Sequence, residues 1–507
     1  MLKILEAAKQ SVALNVLLLL VVALLLNREG QRVPGGNENT YLLYIYKAWH
    51  PDFLATDWTF QEPTAGHPVF NKLVGWPTLF ISLETLGWIG RFICWTLTFI
   101  ALLRIGGQFR LPLWIVTGTI LIWMFERQAF IATEWIVGTF EAKTVAYVCL
   151  LFAIDSILRG KLVLPAILTG LTFSFHSEVG LWGGAAIGLA FATMHPWRKT
   201  VLFAVIAAVF ALPGVITSLP LVMAQRSLSA ADARYMVMTA LSFHLNPATY
   251  GAGKIALLLL MLAFNWMHAR ANPEDEKLRF LVRFQIFAAM FLIMAIGLRA
   301  IGEFSLLISF PSRVFAVVIL LFFLWHVSAA FLHRREMRRS MGLTVLGIFI
   351  VLCIPSPIMK LQSLAADQLP KWRKHQDDFI DAATWVRDNT PATTVVIAPP
   401  WRGEVFYFTR RPLIAAWHTP RFDAMADWRR RIESLVGDVS NMDPDENRAG
   451  LMDQRSRDFY ANLSASDVER IAGTYYGGSD AVVITTATYG LPVLYRSGLY
   501  SVYQLPK

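Results

Sequence analysis

The sequence is poor in charge and poorer still in cysteine. Only 16% of its 507 residues are charged and 55% are hydrophobic, against a charged fraction of about 25% in ordinary soluble domains. That excludes a wholly water-solvated globule, and the bulk of the chain must be solvated by lipid. The three cysteines, Cys94, Cys149 and Cys353, sit far apart in apolar runs, which excludes a disulfide framework and a cysteine metal cluster. No internal repeat or low-complexity tract is present. Nor does a small-residue cleavage pattern follow the first apolar run: Lys3 and Lys9 precede it and Asn27-Arg28-Glu29 follow it, so an uncleaved first span is expected.

What is present is a succession of apolar segments near the length needed to cross about 30 Å of hydrocarbon. They run at about 11–26, 85–103, 111–125, 144–158, 162–176, 179–195, 199–217, 252–268, 283–298, 313–332 and 341–359, giving about eleven spans. The formal charge of +10 is concentrated in short links, among them 104–110, 159–161, 195–199, 268–283 and 333–339 (with Arg334, Arg335, Arg338 and Arg339). Basic short links fix orientation. They put the amino terminus in the cytoplasm and everything after about 360 outside, and they read as topology and not as a nucleic-acid footprint. Segments 162–176 and 179–195, parted by Ser177 and Glu178, form either a tight hairpin or a re-entrant pair.

The expected fold is therefore a polytopic α-helical membrane protein in two parts. Residues 1–360 form the multi-span domain, with a long first outer loop at 27–83, and 361–507 form a soluble extracytoplasmic α/β domain. Further outer connections are expected at 126–143 and 218–253. In the tail, DDFIDAATWVRDNTP reads as a helix stopped by Asn389-Thr390-Pro391, and TTVVIAPP as a buried strand. A basic helix (about 420–437) with Arg429, Arg430 and Arg431, a polar connection with Asp443-Pro444-Asp445, a helix (about 464–475) and the strands DAVVIT and LYSVYQL follow.

Ionisable groups gather at the expected outer ends of the spans: Glu126, Arg127, Glu134, Glu141 and Lys143, then His176 and Glu178, then Arg299, Glu303 and Arg313. Charge at membrane depth is costly, although charge at the interface is cheap. In the first loop Glu38 precedes TYLLYIYKAWH, whose Tyr41, Leu42, Ile45, Tyr46 and Trp49 make one face of an interfacial helix. Asp57 follows, and then His67-Pro68 opens a second amphipathic segment. A carboxylate at that level suits deprotonation of a hydroxyl; the plain alternative for Glu38 is a helix start. Arg313, in FPSR, matches phosphate geometry, with snorkelling as its plain alternative.

The layout NENTYLLYIYKAW, HPVFNKL, many spans, and an outer domain opening with WVRDNTP resembles the GT-C membrane glycosyltransferases. The stretches FEAKTVAY and TRRPLIAAWHTPRFDAMADWRRR look like those of a bacterial group of multi-span proteins. The resemblance implies transfer of a sugar from a polyprenyl-phosphate or polyprenyl-diphosphate donor to a glycan, lipid or protein acceptor at the outer face of a bacterial inner membrane, with inversion. It implies Glu38 and Asp57 as catalytic acids, and Arg313, Arg299 and Lys143 as donor-phosphate ligands. His67, Glu141, His176, Glu178 and Glu303 are supporting polar groups. Many members carry an acidic pair in the first loop, where this chain has Asn37-Glu38. No metal ligands are assigned, because a hard cation wants several oxygens and the first loop offers a single glutamate with a distant aspartate; a divalent cation is left open. The competing readings are a transporter or flippase of a lipid-linked or anionic substrate, and a non-catalytic membrane scaffold.

Overall fold

A computed structural model describes residues 11–26, 31–61, 66–126, 128–332, 355–366, 368, 370, 377–417, 421–440, 442, 452–477 and 480–506. The eleventh expected span for most of its length, the 333–339 link, Cys353, Arg127 and the Asp443–Asp445 connection lie outside them. The chain divides into two compact units. One comprises Met1–Arg32, Trp88–Thr217 and Phe243–Arg373, the other Val33–Gly87, Ser218–Ser242 and Lys374–Lys507. A cut at residue 360 separates the first loop from the C-terminal domain, whereas these units put both in one body.

The first unit is helical. The helices Leu83–Gly107, Trp197–Arg226, Ala252–Arg270, Glu276–Ala300 and Arg313–Leu332 are long and apolar enough to cross a membrane. Eleven spans were expected, and five meet that standard among the described residues. The other apolar segments fold as helices of 13 to 17 residues, such as Val163–Phe175 (13 residues) and Ala142–Leu158 (17 residues). At 1.5 Å per residue these reach about 20 to 26 Å, short of the hydrocarbon thickness.

Two helices form the interior of this unit. Arg313–Leu332 is buried along nearly all its length, pinned by Trp123 Nε1 donating to Val317 O (3.0 Å) and Trp325 Nε1 donating to Thr119 Oγ1 (2.9 Å). Ala142–Leu158 is buried likewise. By contrast, Val201, Val205, Val209, Leu212 and Ile216 of Trp197–Arg226 are exposed, as lipid-facing residues are. Val163–Phe175 and Ser177–Ala192 pack as a tight hairpin joined by His176 in an extended conformation. Gly180 permits it, since a Cβ there would stand 2.1 Å from the Cα of Phe173.

The second unit is built on a four-stranded sheet of order β1-β2-β4-β3: β1 Val395–Ile397, β2 Ala481–Thr485, β3 Val493–Ser497 and β4 Tyr500–Gln504. β1 and β2 are parallel, with Val396 opposite Val482; β4 runs antiparallel to both β2 and β3. The helices expected in the tail appear as Asp378–Asn389, Met425–Val436 and Ala465–Tyr476. β3 and the helices Val405–Thr409 and Gln454–Ala461 were not anticipated.

The first loop belongs to this unit's core. Its helix Glu38–Lys47 buries Leu42, Leu43, Tyr44 and Ile45 and packs on Val405–Thr409. Phe60 bridges Tyr44 and Phe406, at ring-centroid distances of 4.9 and 5.1 Å. Apolar residues expected to lie on a membrane surface are thus covered in part by protein.

Candidate functional site

In the first unit a continuous chain of charged side chains runs through buried surroundings. It is set up by three helix starts. In FEAKT, Glu141 is the N-cap of Ala142–Leu158 and Thr144 completes a capping box with it, which places Lys143 in the first turn. Ser312 precedes the start of Arg313–Leu332 and is held by the Tyr250 hydroxyl at 3.1 Å, which fixes Arg313. His176 stands before Ser177–Ala192.

From these starts the side chains converge on Glu134. Arg313 Nε lies 2.5 Å from Glu134 Oε2, and Lys143 Nζ lies 3.0 Å from Glu134 Oε1 and 3.5 Å from Glu141 Oε1. On the other side Arg313 Nη1 is 3.4 Å from His176 Nε2, and His176 Nδ1 is 2.9 Å from Glu178 Oε2. A guanidinium only donates, so Nε2 is the acceptor toward Arg313, and Nδ1 also receives the Val179 N–H at 3.4 Å as the cap of Ser177–Ala192. Trp135 and Phe310 lie under the Lys143 and Arg313 cations at 3.6 and 4.1 Å.

A cation in the first turn of a helix opposes the macrodipole, and here two helices carry one, Lys143 and Arg313. The two cations and the helix N-termini create a region that favours an anion, and Glu134 is the anion in it. Burial pushes the Glu134 carboxyl up, but Arg313 and then Lys143 outweigh it and hold it down at about 2. Both Glu134 oxygens are claimed by cations, and Glu141 faces Lys143. These two carboxylates therefore do not offer an open oxygen pair to a divalent cation.

Two groups outside the expected set belong here. The Tyr147 hydroxyl, one turn beyond Lys143, is buried with no hydrogen-bond partner among the described residues. A buried unsatisfied hydroxyl is costly, and its cost is removed by a ligand that meets it. His244 Nδ1 lies 2.6 Å from the Ala132 carbonyl, so it donates there; burial, followed by the Arg313 cation, pushes its pKa down to about 4. Sequence reasoning placed Glu134 among the outer charges without making it the hub. Its pairing with a residue as distant as Arg313 leaves no local signal.

Arg299 and Glu303 do not join this chain among the described contacts. Arg299 Nε donates to Asn246 Oδ1 (3.2 Å), and exposed Glu303 accepts from Ser305 N (3.1 Å).

In the second unit Glu38 is fully buried and its Oε2 accepts from Gly35 N at 2.9 Å, closing the turn that starts its helix. Asp57 is also fully buried. Its Oδ1 accepts from Thr59 N (2.8 Å) and Phe60 N (3.2 Å) and its Oδ2 from Leu413 N (2.8 Å), so its oxygens brace the loop against the C-terminal domain. Burial raises the Asp57 carboxyl to about 6 in spite of these donors. Beside it, Trp58 Nε1 donates to Ile414 O (2.7 Å). His67 precedes the helix Pro68–Gly75 and stacks on Tyr41, centroids 5.9 Å apart.

A family described as a domain of unknown function (DUF6798) matches residues 377–435. No curated protein sequence matches the chain. Among solved structures, the archaeal oligosaccharyltransferase AglB from Archaeoglobus fulgidus, in complex with an inhibitory peptide and a dolichol-phosphate, is similar with a TM-score of 0.52 at 12% identity, covering 94% of this chain and 70% of that one. The apo form of the oligosaccharyltransferase from the same organism gives 0.51 at 12% identity over 94% and 69%. The form tethered to an acceptor peptide containing the NVT sequon gives 0.50 at 14% identity over 95% and 69%. The fold, spans and C-terminal sheet together, is thus similar to that of an oligosaccharyltransferase, as the GT-C resemblance implies.

Proposed function

We propose that this chain is a membrane glycosyltransferase that moves a sugar from a polyprenyl-phosphate or polyprenyl-diphosphate donor to an acceptor hydroxyl at the outer face of a bacterial inner membrane. The observation that carries the proposal is the anion position between Arg313 and Lys143 at two helix N-termini, now filled by Glu134. A donor phosphate brings more negative charge and more acceptor oxygens than a carboxylate, so it competes with Glu134 for the same two cations. The likeness to oligosaccharyltransferases, one of them complexed with a dolichol-phosphate, supports a lipid-linked donor.

In the reaction the acceptor oxygen attacks the anomeric carbon and its proton passes to a carboxylate. The bond from that carbon to the phosphate oxygen breaks, and the departing phosphate keeps the electron pair. Lys143 and Arg313 stabilise the charge that develops there, and His176, tied to Glu178, holds Arg313 in orientation. Glu38 takes the role of base; Asp57 supports it by bracing the first loop, and Arg299 serves as an outlying phosphate ligand.

The test is consumption of a panel of polyprenyl-phosphate and polyprenyl-diphosphate sugars by the protein in lipid discs, beside the Arg313→Gln variant. Consumption by the wild type and its loss in the variant support the reading. Consumption of no donor, or turnover indifferent to Arg313, overturns it.

A further inference from the structure

The second unit holds a pocket of about 490 Å³ that the proposed transfer does not use, between the turn at residues 52–56 and a wall built by Arg387, Arg410 and Arg411. The turn is shaped from within. Lys47 Nζ donates to the carbonyls of Phe53 (2.9 Å) and Leu54 (3.4 Å), and Leu54 sits in the left-handed region at φ 50°. This side of the pocket is preformed.

The three guanidinium groups are satisfied to different degrees. Arg387 pairs with Asp388 through Nε (2.8 Å) and Nη2 (3.1 Å). Arg411 is buried and donates only to oxygens that carry no charge: Nε to Thr390 Oγ1 (3.2 Å), Nη1 to Arg410 O (3.1 Å), and Nη2 to the carbonyls of Arg387 and Thr390 (2.5 Å each). No carboxylate forms an ion pair with it among the described residues. Burial, and then the Arg387 cation beside it, lower its pKa from the ordinary arginine value.

Arg410 goes further. Its guanidinium donates to no protein acceptor among the described residues, its Nε is buried, and it lies over the face of Tyr46 at 5.9 Å. Its backbone is left-handed, φ 48° and ψ 38°, a conformation that glycine takes without steric cost and arginine does not. A position that favours glycine therefore holds a cation whose donors are unspent, a pattern associated with function.

We propose that this wall is a phosphate-binding site, taking the phosphate or diphosphate of a small ester. Three guanidinium groups face two lining carboxylates, Asp52 and Asp388, which leaves one positive charge in excess. The planar fork of arginine matches phosphate oxygens. The volume admits a sugar or nucleoside beyond the phosphate, with Asp52 and Thr56 opposite to accept and donate to its hydroxyls.

The test is isothermal titration of the full chain in lipid discs with glucose 1-phosphate and with pyrophosphate, and separately with discs containing a short-chain polyprenyl phosphate. Binding that weakens with salt is expected. Arg410→Gly, which suits the backbone, should keep or raise the unfolding temperature and lose about tenfold or more in affinity, the value of a charge-assisted hydrogen bond. Arg410→Lys should fall between the two, which covers a failure of the glycine variant to fold. Arg313→Gln should bind glucose 1-phosphate and pyrophosphate with the same Arg410 dependence as the wild type, which distinguishes this site from the proposed donor site. Arg410-dependent binding of the soluble esters identifies a free ligand, and Arg410-dependent binding of the prenyl phosphate alone identifies a lipid-borne one; either supports the site. Absence of any Arg410-dependent binding overturns it.

Discussion

Glu134 and Arg313, far apart in sequence, meet as a buried ion pair at 2.5 Å, and Lys143 shares the same carboxylate. Breaking one partner of a buried pair leaves uncompensated charge and costs roughly 3–5 kcal/mol. Glu134→Gln is therefore expected to lower the unfolding temperature markedly, and a phosphate-bearing donor should restore more of it in the variant than it adds to the wild type. Thermal unfolding with and without donor measures both. Equal donor-induced shifts would count against an anion site shared by Glu134 and donor.

The same pair makes stability depend on pH. The Glu134 carboxyl stands at about 2 in the folded chain against an ordinary value of 4.5. Its contribution is complete above the unfolded value and is lost as pH falls from about 4.5 to 2, up to about 3 kcal/mol at 1.36 kcal/mol per unit. Denaturation at pH 3 to 6 should show the gap between wild type and Glu134→Gln closing on acidification.

Asp57 gives the opposite sign. Its folded pKa, raised to about 6 from 3.8, makes its contribution largest below about pH 4 and smaller as pH rises through 6. Asp57→Ala removes the acceptor of three backbone N–H groups, at an expected cost of about 2–4 kcal/mol from donors left unpaired. Hydrogen exchange at Thr59, Phe60 and Leu413 should accelerate together. Protection unchanged at Leu413 would mean that Asp57 does not brace this loop.

Tyr147→Phe separates ligand from structure. The hydroxyl has no partner among the described residues, so its removal should leave stability unchanged or raise it slightly. If a donor oxygen meets that hydroxyl, affinity should fall by a few-fold to about tenfold. Donor titration against both forms is the measurement.

Much of the helical framework was legible because apolar length and flanking charge are local signals. The segments 313–332 and 252–268 were read almost to the residue, and the strands Val395–Ile397 and Ala481–Thr485 lie within the stretches TTVVIAPP and DAVVIT. Amphipathicity in TYLLYIYKAW was legible too, but not its partner, since a helix cannot announce whether lipid or Val405–Thr409 will cover it. β3 was missed because Val493–Ser497 has a mostly exposed or half-buried side-chain pattern and is defined by pairing with β4. The site followed the same rule. Glu38, Lys143 and Arg313 were visible as charges gathered at the outer ends of spans and in the first loop, whereas the convergence on Glu134 and the reach of Asp57 to Leu413 depend on tertiary contacts that no spacing encodes.

The most direct test of the account is transfer itself, followed as product formation from a polyprenyl-phosphate sugar by wild type and by Glu38→Gln in lipid discs, with donor binding measured on the same samples. The account predicts that Glu38→Gln binds donor as the wild type does and forms product at least about 100-fold more slowly, as loss of a general base requires. Equal rates for the two forms, with donor bound by both, would contradict it.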